Sequence, residues 1–212
     1  MSHSEELESM WNSWKDTLGS LKDLRIQRTY VTDLSRTVTK ELQVFSDASE
    51  KAIAAVIYFH TTDSEGRCKL RFVLGKAKVA PISRHTIPRL ELCTSVLAVE
   101  IAQFVLEHLD THIDSVKYYT DSNVILSYVC NESRRFYTYV ANRVQRIRKF
   151  RTQNQWNCVP TDRNPADLAT RCLPAAELQD SAWLQGPKHL VMKKEQQCDE
   201  NEHLLIDPDE DK

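Results

Sequence analysis

Four glycines among 212 residues make about 2% of the chain, against a usual share near ~7%, and they stand far apart as Gly19, Gly66, Gly75 and Gly186. P-loops, dinucleotide fingerprints and G-x-S-x-G elbows all need clustered glycines, so these are excluded and any chemistry must rest on side chains. The formal net charge is −2 and the six cysteines form no C-x-x-C pair. No apolar run approaches the ~18 residues of a membrane span. The expectation is one domain with extensions, free thiols and no membrane, in an intracellular setting, cytoplasmic or nuclear.

In chain order, residues 5–26 place Leu7, Trp11, Trp14, Leu18, Leu21 and Leu24 at three- and four-residue spacings, which predicts a helical segment. Tyr30 to Thr39 is polar and reads as linker. Leu42 and Val44 then alternate toward Asp47, 54–60 is a β-rich run, and 68–79 alternates basic with apolar residues; together they read as an antiparallel meander. Thr86 and Pro88 mark a helix start. The helix over 88–109 is apolar almost all round, as a buried crossover would be, with Cys93 as a small buried thiol. Val116 to Thr120 is a short strand that ends at Asp121. Helical spacing resumes over 122–130 and again over 135–150, where Phe136, Val140, Val144 and Ile147 share a stripe. Trp156 to Val159 reads as a last strand and Pro165 to Arg171 as a short helix with proline at its start. The order β-β-β-α-β-α-α-β-α is that of an α/β domain, a mixed sheet flanked by helices. Residues 1–39 form a helical connection segment and linker, 40–190 the domain, and 191–212 an acidic tail expected to be disordered.

Charge is placed unevenly. The stretch 195–212 holds eight acidic residues and one lysine, which leaves 1–194 with 27 basic and 22 acidic residues. Residues 66–90 carry Arg67, Lys69, Arg71, Lys76, Lys78, Arg84 and Arg89 with no carboxylate. Residues 134–151 carry Arg134, Arg135, Arg143, Arg146, Arg148, Lys149 and Arg151, interleaved with Phe136, Tyr137, Tyr139 and Phe150. Such stretches suit a polyanion; a solvated helix face is the plain alternative. Tyr137 and Tyr139 are candidates for base stacking, with packing as their ordinary role, and Trp156 and Trp183 read as packing residues. His108 and His112 are spaced like a metal pair, but no third ligand is near.

Four carboxylates fall at element ends: Asp47 after the first strand's alternation, Glu91 in the first turn of the buried helix, Asp121 closing the fourth strand, and Asp167 in the first turn of the last helix. Dipole complementation, worth roughly 0.3–1 kcal/mol, accounts for Glu91 and Asp167. It does not account for an acid at the end of an apolar strand, which is costly unless it meets a partner or a metal. Together the four point to a hard-metal site with oxygen ligands.

The segments "LQVFSDASEKAIAAVIYF" (42–59), "KAKVAPISRHTIPRLEL" (76–92), "YTDSNVILSYV" (119–129), "FYTYVANRVQRI" (136–147) and "VPTDRNPADLATR" (159–171) resemble, in the same order, the ribonuclease H domain of BEL/Pao-type retrotransposon polyproteins. "AWLQGPKHL" (182–190) is similar to that family's Trp-x-x-Gly-Pro ending, and 10–28 resembles the connection that follows the reverse transcriptase. The resemblance implies a five-stranded mixed ribonuclease H-like sheet, with Asp47, Glu91, Asp121 and Asp167 as catalytic residues and ligands of two Mg²⁺ ions, Mn²⁺ being the substitute. It implies hydrolysis of the RNA strand of an RNA/DNA hybrid to a 5′-phosphate and a 3′-hydroxyl, with the strands told apart by the 2′-hydroxyl. Arg89, Ser122, Asn123, Arg143, Arg146 and Lys149 are the implied nucleic-acid contacts, and a reverse transcriptase domain is an implied partner. The chain departs from the family at Ala54, Cys158 and Cys172, and residues 155–171 lack the histidine many ribonucleases H carry near the fourth acid. Loss of such a general acid/base costs typically ~10²–10⁴-fold. The alternative is a weak or inactive ribonuclease H-like module that binds nucleic acid or protein.

Overall fold

A computed structural model describes residues 3–27, 29–30, 36–81, 85–131, 135–150, 153–171 and 173–191. The acidic stretch 195–212, Arg84, Arg134, Arg151, Cys172 and Cys198 lie outside these, and with them the expectations attached to them.

Strands β1 (Thr37–Ala48), β2 (Ala52–Asp63) and β3 (Cys68–Val79) form the antiparallel meander, and β4 (Ser115–Thr120) and β5 (Trp156–Cys158) add in parallel on the far side of β1. The sheet order is β3-β2-β1-β4-β5, a five-stranded mixed sheet flanked by helices, as the sequence pattern implies. β1 begins at Thr37, inside the stretch read as linker, because Thr37 and Thr39 pair with the far end of β2. The β2–β3 turn is closed by Asp63, whose Oδ1 accepts from Glu65 N and Arg67 N at 2.9 Å each, with Gly66 at φ 76°.

Helix α1 (His3–Thr17) is shorter than its apolar spacing predicts; the chain continues as a 3₁₀ turn over Leu18–Asp23 and then runs extended. Thr17 Oγ1 donates back to Trp14 O at 2.6 Å, and Ser20 and Gly19 follow, all weak residues for prolonging a helix. Its apolar stripe is exposed: Trp11 stacks on Trp14 at 4.9 Å and is 57% accessible. By contrast α2 (Ile87–His108) is buried through Leu90, Leu92, Leu97, Ala98, Val99, Ile101, Ala102 and Val105. It packs on the sheet beside α3 (Asn123–Cys130) and α4 (Thr138–Phe150), burying Val140, Val144 and Ile147 as the stripe predicts.

The opposite sheet face has its own core of Phe45, Val56, Tyr58, Leu70, Val159 and Ala166. Here the last helix of the sequence reading is the single turn α5 (Asp167–Thr170), with Pro165 in the loop before it rather than at its start. A further turn, α6 (Ala182–Gln185), had no counterpart in the hydrophobic pattern. Trp183 lies over Gly75, where a Cβ would stand 2.3 Å from its ring, and Gly186 turns the chain at φ 78°. Tyr58 donates its hydroxyl toward Ala182 O and Trp183 O at 2.8 and 2.9 Å, tying this segment to β2. The two faces thus bury β1 on both sides from Leu42 to Asp47.

Candidate active site

The parallel register of β1 and β4, Phe45 opposite Tyr119, carries both strand ends to one edge of the sheet, so Asp47 and Asp121 emerge side by side. Asp47 sits opposite Ala54 on β2, which in turn pairs with Ala77 on β3. Ala54 is buried at this point and its carbonyl accepts from Thr94 Oγ1 of α2 at 2.8 Å, so the extra methyl is accommodated in the packing. Asp47 is itself only 8% accessible.

Three of the four acids are held by neighbouring side chains. Thr170 Oγ1 donates to Asp47 Oδ2 at 2.5 Å. Ser122 Oγ donates to Glu91 Oε2. Arg171 Nε donates to Asp167 Oδ1 at 2.6 Å. Glu91 lies beyond the first turn of α2, not within it, because the helix starts at Ile87; the dipole explanation for this acid is thereby weakened.

Burial is the main cause that raises Asp47 from 3.8 to about 6, with the charges of Asp121 and Asp167 adding to it against the Thr170 bond. Burial likewise raises Glu91 from 4.5 to about 7, with Asp121 and Asp47 adding and the Ser122 bond opposing. Four acids from β1, α2, the end of β4 and α5 therefore act on one another as like charges. Their chemistry is that of an all-oxygen hard-cation site. Among the described residues, however, no group of three or more His, Cys, Asp or Glu side chains is drawn close enough to hold a metal ion.

The expected nucleic-acid residues divide. Arg89 and Arg143 flank the Tyr139 ring, 5.3 and 3.5 Å from its centroid, and Tyr139 meets Cys93 Sγ at 3.2 Å through its hydroxyl. Burial and the Cys93 contact push the Tyr139 phenol up to about 12. Asn123 is exposed at the start of α3 and Lys149 is exposed on α4. Ser122 is buried, with its hydroxyl engaged by Glu91 and by Ile125 N as the α3 N-cap. Arg146 pairs with Glu100 at 2.6 Å.

The basic run of 134–151 also contains a residue with a structural task. Arg148 donates to Val129 O and Tyr128 O at 3.2 and 3.0 Å and to Asn131 O, closing the C-terminus of α3. Within 66–90, Arg67 pairs with Asp63 and Glu65 at 2.8 and 3.1 Å. From the same stretch, Lys76 and Lys78 are exposed on β3 beside the Asp47–Ala54–Ala77 row, a placement that depends on the strand register. The His108 and His112 rings are engaged separately, at Phe104 O (2.8 Å) and Asp114 Oδ1 (3.6 Å).

No curated protein matches this chain. Among solved structures it is similar to RNase H1 from the halophilic archaeon Halobacterium salinarum NRC-1, at 14% identity over 61% of this chain and 91% of that one, with a TM-score of 0.39. It is also similar to LC11-RNase H1 in complex with RNA/DNA hybrid, at 13% identity over 61% and 91%, TM-score 0.40. A third similarity is to the N-terminal RNase H domain of a Mycobacterium tuberculosis protein, at 12% identity over 68% and 100%, TM-score 0.40. Superpositions at this level add nothing to the strand order already described. The sequence itself matches the family described as Pao retrotransposon-like RNaseH-like domain over residues 2–122, a stretch that includes Asp47, Glu91 and Asp121 and stops short of Asp167. A match over more than half of its length places this chain in the Pao retrotransposon-like RNaseH-like domain family.

Proposed function

We propose that this chain is a divalent-metal-dependent endonuclease that cleaves the RNA strand of RNA/DNA hybrids. The observation that carries the reading is that four acids from four separate elements meet where β1 and β4 end, with Asp47 and Glu91 raised by burial first and by neighbouring carboxylates second. Asp47, Glu91, Asp121 and Asp167 would hold two Mg²⁺ ions, or Mn²⁺ in their place; when bound, such ions clamp the phosphate and stabilise the attacking and leaving oxygens. Around them, Lys76, Lys78, Arg89, Arg143, Arg146 and Lys149 hold backbone phosphates without reading sequence. Contacts to the 2′-hydroxyl set the RNA strand apart from DNA. A reverse transcriptase domain is the proposed neighbour in a longer polyprotein.

The test is cleavage of an end-labelled hybrid in Mg²⁺ by the wild-type chain and by Asp47→Asn. Cleavage that disappears with the substitution supports the reading. A folded wild-type chain that leaves the hybrid intact, with and without its polymerase neighbour, sinks it.

The second reading is a non-catalytic module that binds nucleic acid or protein. It is favoured by the lack, among the described residues, of a group of three or more ligand side chains placed to hold a metal ion, and by the Arg171 ion pair on Asp167. Calorimetric titration of Mg²⁺ into wild type and Asp47→Asn separates the two, since only a working site gives heat that depends on the carboxylate.

A further inference from the structure

The loop and turn that carry Asp167 are bound to the end of β1 at three points. Asn164 Nδ2 donates to Ser46 O at 3.0 Å, while its own Oδ1 accepts from Ala166 N at 3.2 Å. Ser49 Oγ donates to Thr170 O at 3.0 Å. Thr170 Oγ1 donates to Asp47 Oδ2, 123 residues away in the chain. Asn164 and Thr170, on either side of Asp167, are each 4% accessible.

The three ties differ in what they reach. Asn164 and Ser49 bond to backbone carbonyls or from small side chains, and they would dock the segment whatever the acids did. The Thr170 hydroxyl alone reaches a carboxylate oxygen. Its oxygen also lies 3.0 Å from Asp167 O, but a hydroxyl has one hydrogen, and the shorter charge-assisted bond to Asp47 takes it. A threonine here does more than the usual back-bonding of a hydroxyl to its own helix.

Resting on the metal-dependent reading above, we propose that Thr170 is a positioning residue of the carboxylate cluster. It fixes one oxygen of Asp47 and, from the same turn that bears Asp167, sets the first and last acids in one orientation. Partners that orient metal-binding side chains in this way are worth typically ~10–100-fold in metal affinity when removed.

The experiment uses the whole chain and Mn²⁺ alone as the probe, by calorimetry, with thermal unfolding recorded beside it. Thr170→Val keeps the shape and removes the hydroxyl; Thr170→Ser keeps the hydroxyl. Thr170→Val is expected to unfold cooperatively and to bind Mn²⁺ about 10–100-fold more weakly, with Thr170→Ser within about threefold of wild type. Should Thr170→Val not fold, Thr170→Ala carries the same comparison. Wild-type affinity in the variant without a hydroxyl overturns the proposal alone. So does a Thr170→Ser variant as weak as Thr170→Val, because the hydroxyl would then not be the cause. A folded wild-type chain that binds no Mn²⁺ overturns both the proposal and the metal-dependent reading.

Discussion

Strand β1 carries two acids on one face, Glu41 near its start and Asp47 near its end, and they live in opposite surroundings. Glu41 faces partners that welcome its charge. Lys117 Nζ lies 3.0 Å away, Ser115 Oγ donates at 2.7 Å, Gln43 Nε2 at 3.0 Å, and His60 Nδ1 stands at 3.4 Å. His60 lies between this acid and the C-terminal segment, with Nε2 3.1 Å from Leu190 O. These contacts, that with His60 the largest, bring Glu41 from 4.5 down to about 2. Asp47 is raised to about 6, by burial first and by two further carboxylates. The same strand thus holds one acid that stabilises the fold and one that strains it. Buried like charges sustained at the end of a strand mark a candidate functional site.

The largest test of this contrast is substitution at both ends. Glu41→Gln leaves Lys117 and His60 facing a neutral amide and is expected to lower unfolding stability by about 2 kcal/mol. Asp47→Asn removes a buried like charge and is expected to raise metal-free stability by about 1 kcal/mol. Urea unfolding at neutral pH measures both. Two losses of equal size would erase the distinction between the ends.

How far this was legible in the sequence depends on what kind of signal each feature needs. The meander, the buried crossover helix and the stripe of α4 follow from periodicity, because a side chain's period along the chain is set locally. Asp47 and Asp121 could be picked out because each closes an apolar strand, a position with a cost that asks for a partner. Glu41 looked like any polar residue of a strand, since His60 and Lys117 meet it only through the register of β2 and β4. Ser122, Thr170 and Arg148 act across loops and helix ends, and no spacing along the chain reveals such pairs. The α1 stripe shows the converse limit: a helical period says that one face is apolar and nothing about what covers it. The C-terminal layer was hidden because its short turns have no period at all, and only Gly75, too small for its strand, hints that Trp183 lies above it.

Changing pH sharpens the contrast without any mutation, with an expected effect of about 2 kcal/mol. Glu41 has a folded value below its unfolded one, so its contribution is present above about pH 4.5 and fades as pH falls toward 2. Asp47 and Glu91 have folded values of about 6 and 7, above their unfolded ones. The native state binds more protons than the unfolded chain between about pH 4 and 7, so these acids make stability fall as pH rises through that window. Their ranges overlap, so one broad decline is expected instead of two steps. Saturating Mn²⁺ is expected to abolish the decline on the neutral side and leave the acid limb unchanged. A metal-free chain whose stability is flat from pH 4 to 8 would break the account of Asp47 and Glu91.

The smallest effect concerns the basic counterpart of the same argument on α4. Arg146 and Arg148 stand two residues apart in a run that the sequence presents as one patch. Arg146 is exposed and Glu100 half-exposed, a surface pair in which solvent screens most of the attraction. Arg148 reaches back to three carbonyls at the end of α3, acceptors that the helix leaves without partners of its own. Arg148→Met retains the aliphatic stem and is expected to cost about 1 kcal/mol, whereas Arg146→Ala is expected to stay within about 0.5 kcal/mol. Hybrid binding should respond the other way. Loss of the exposed Arg146 or Lys149 charge flattens the salt dependence of affinity by close to one phosphate contact. Loss of Arg148, already committed to backbone oxygens, leaves the slope where it was. Slopes unchanged from wild type in all three variants would return the end of the run, Arg146 to Lys149, to a solvated helix face, and would leave the nucleic-acid contacts to Lys76, Lys78, Arg89 and Arg143.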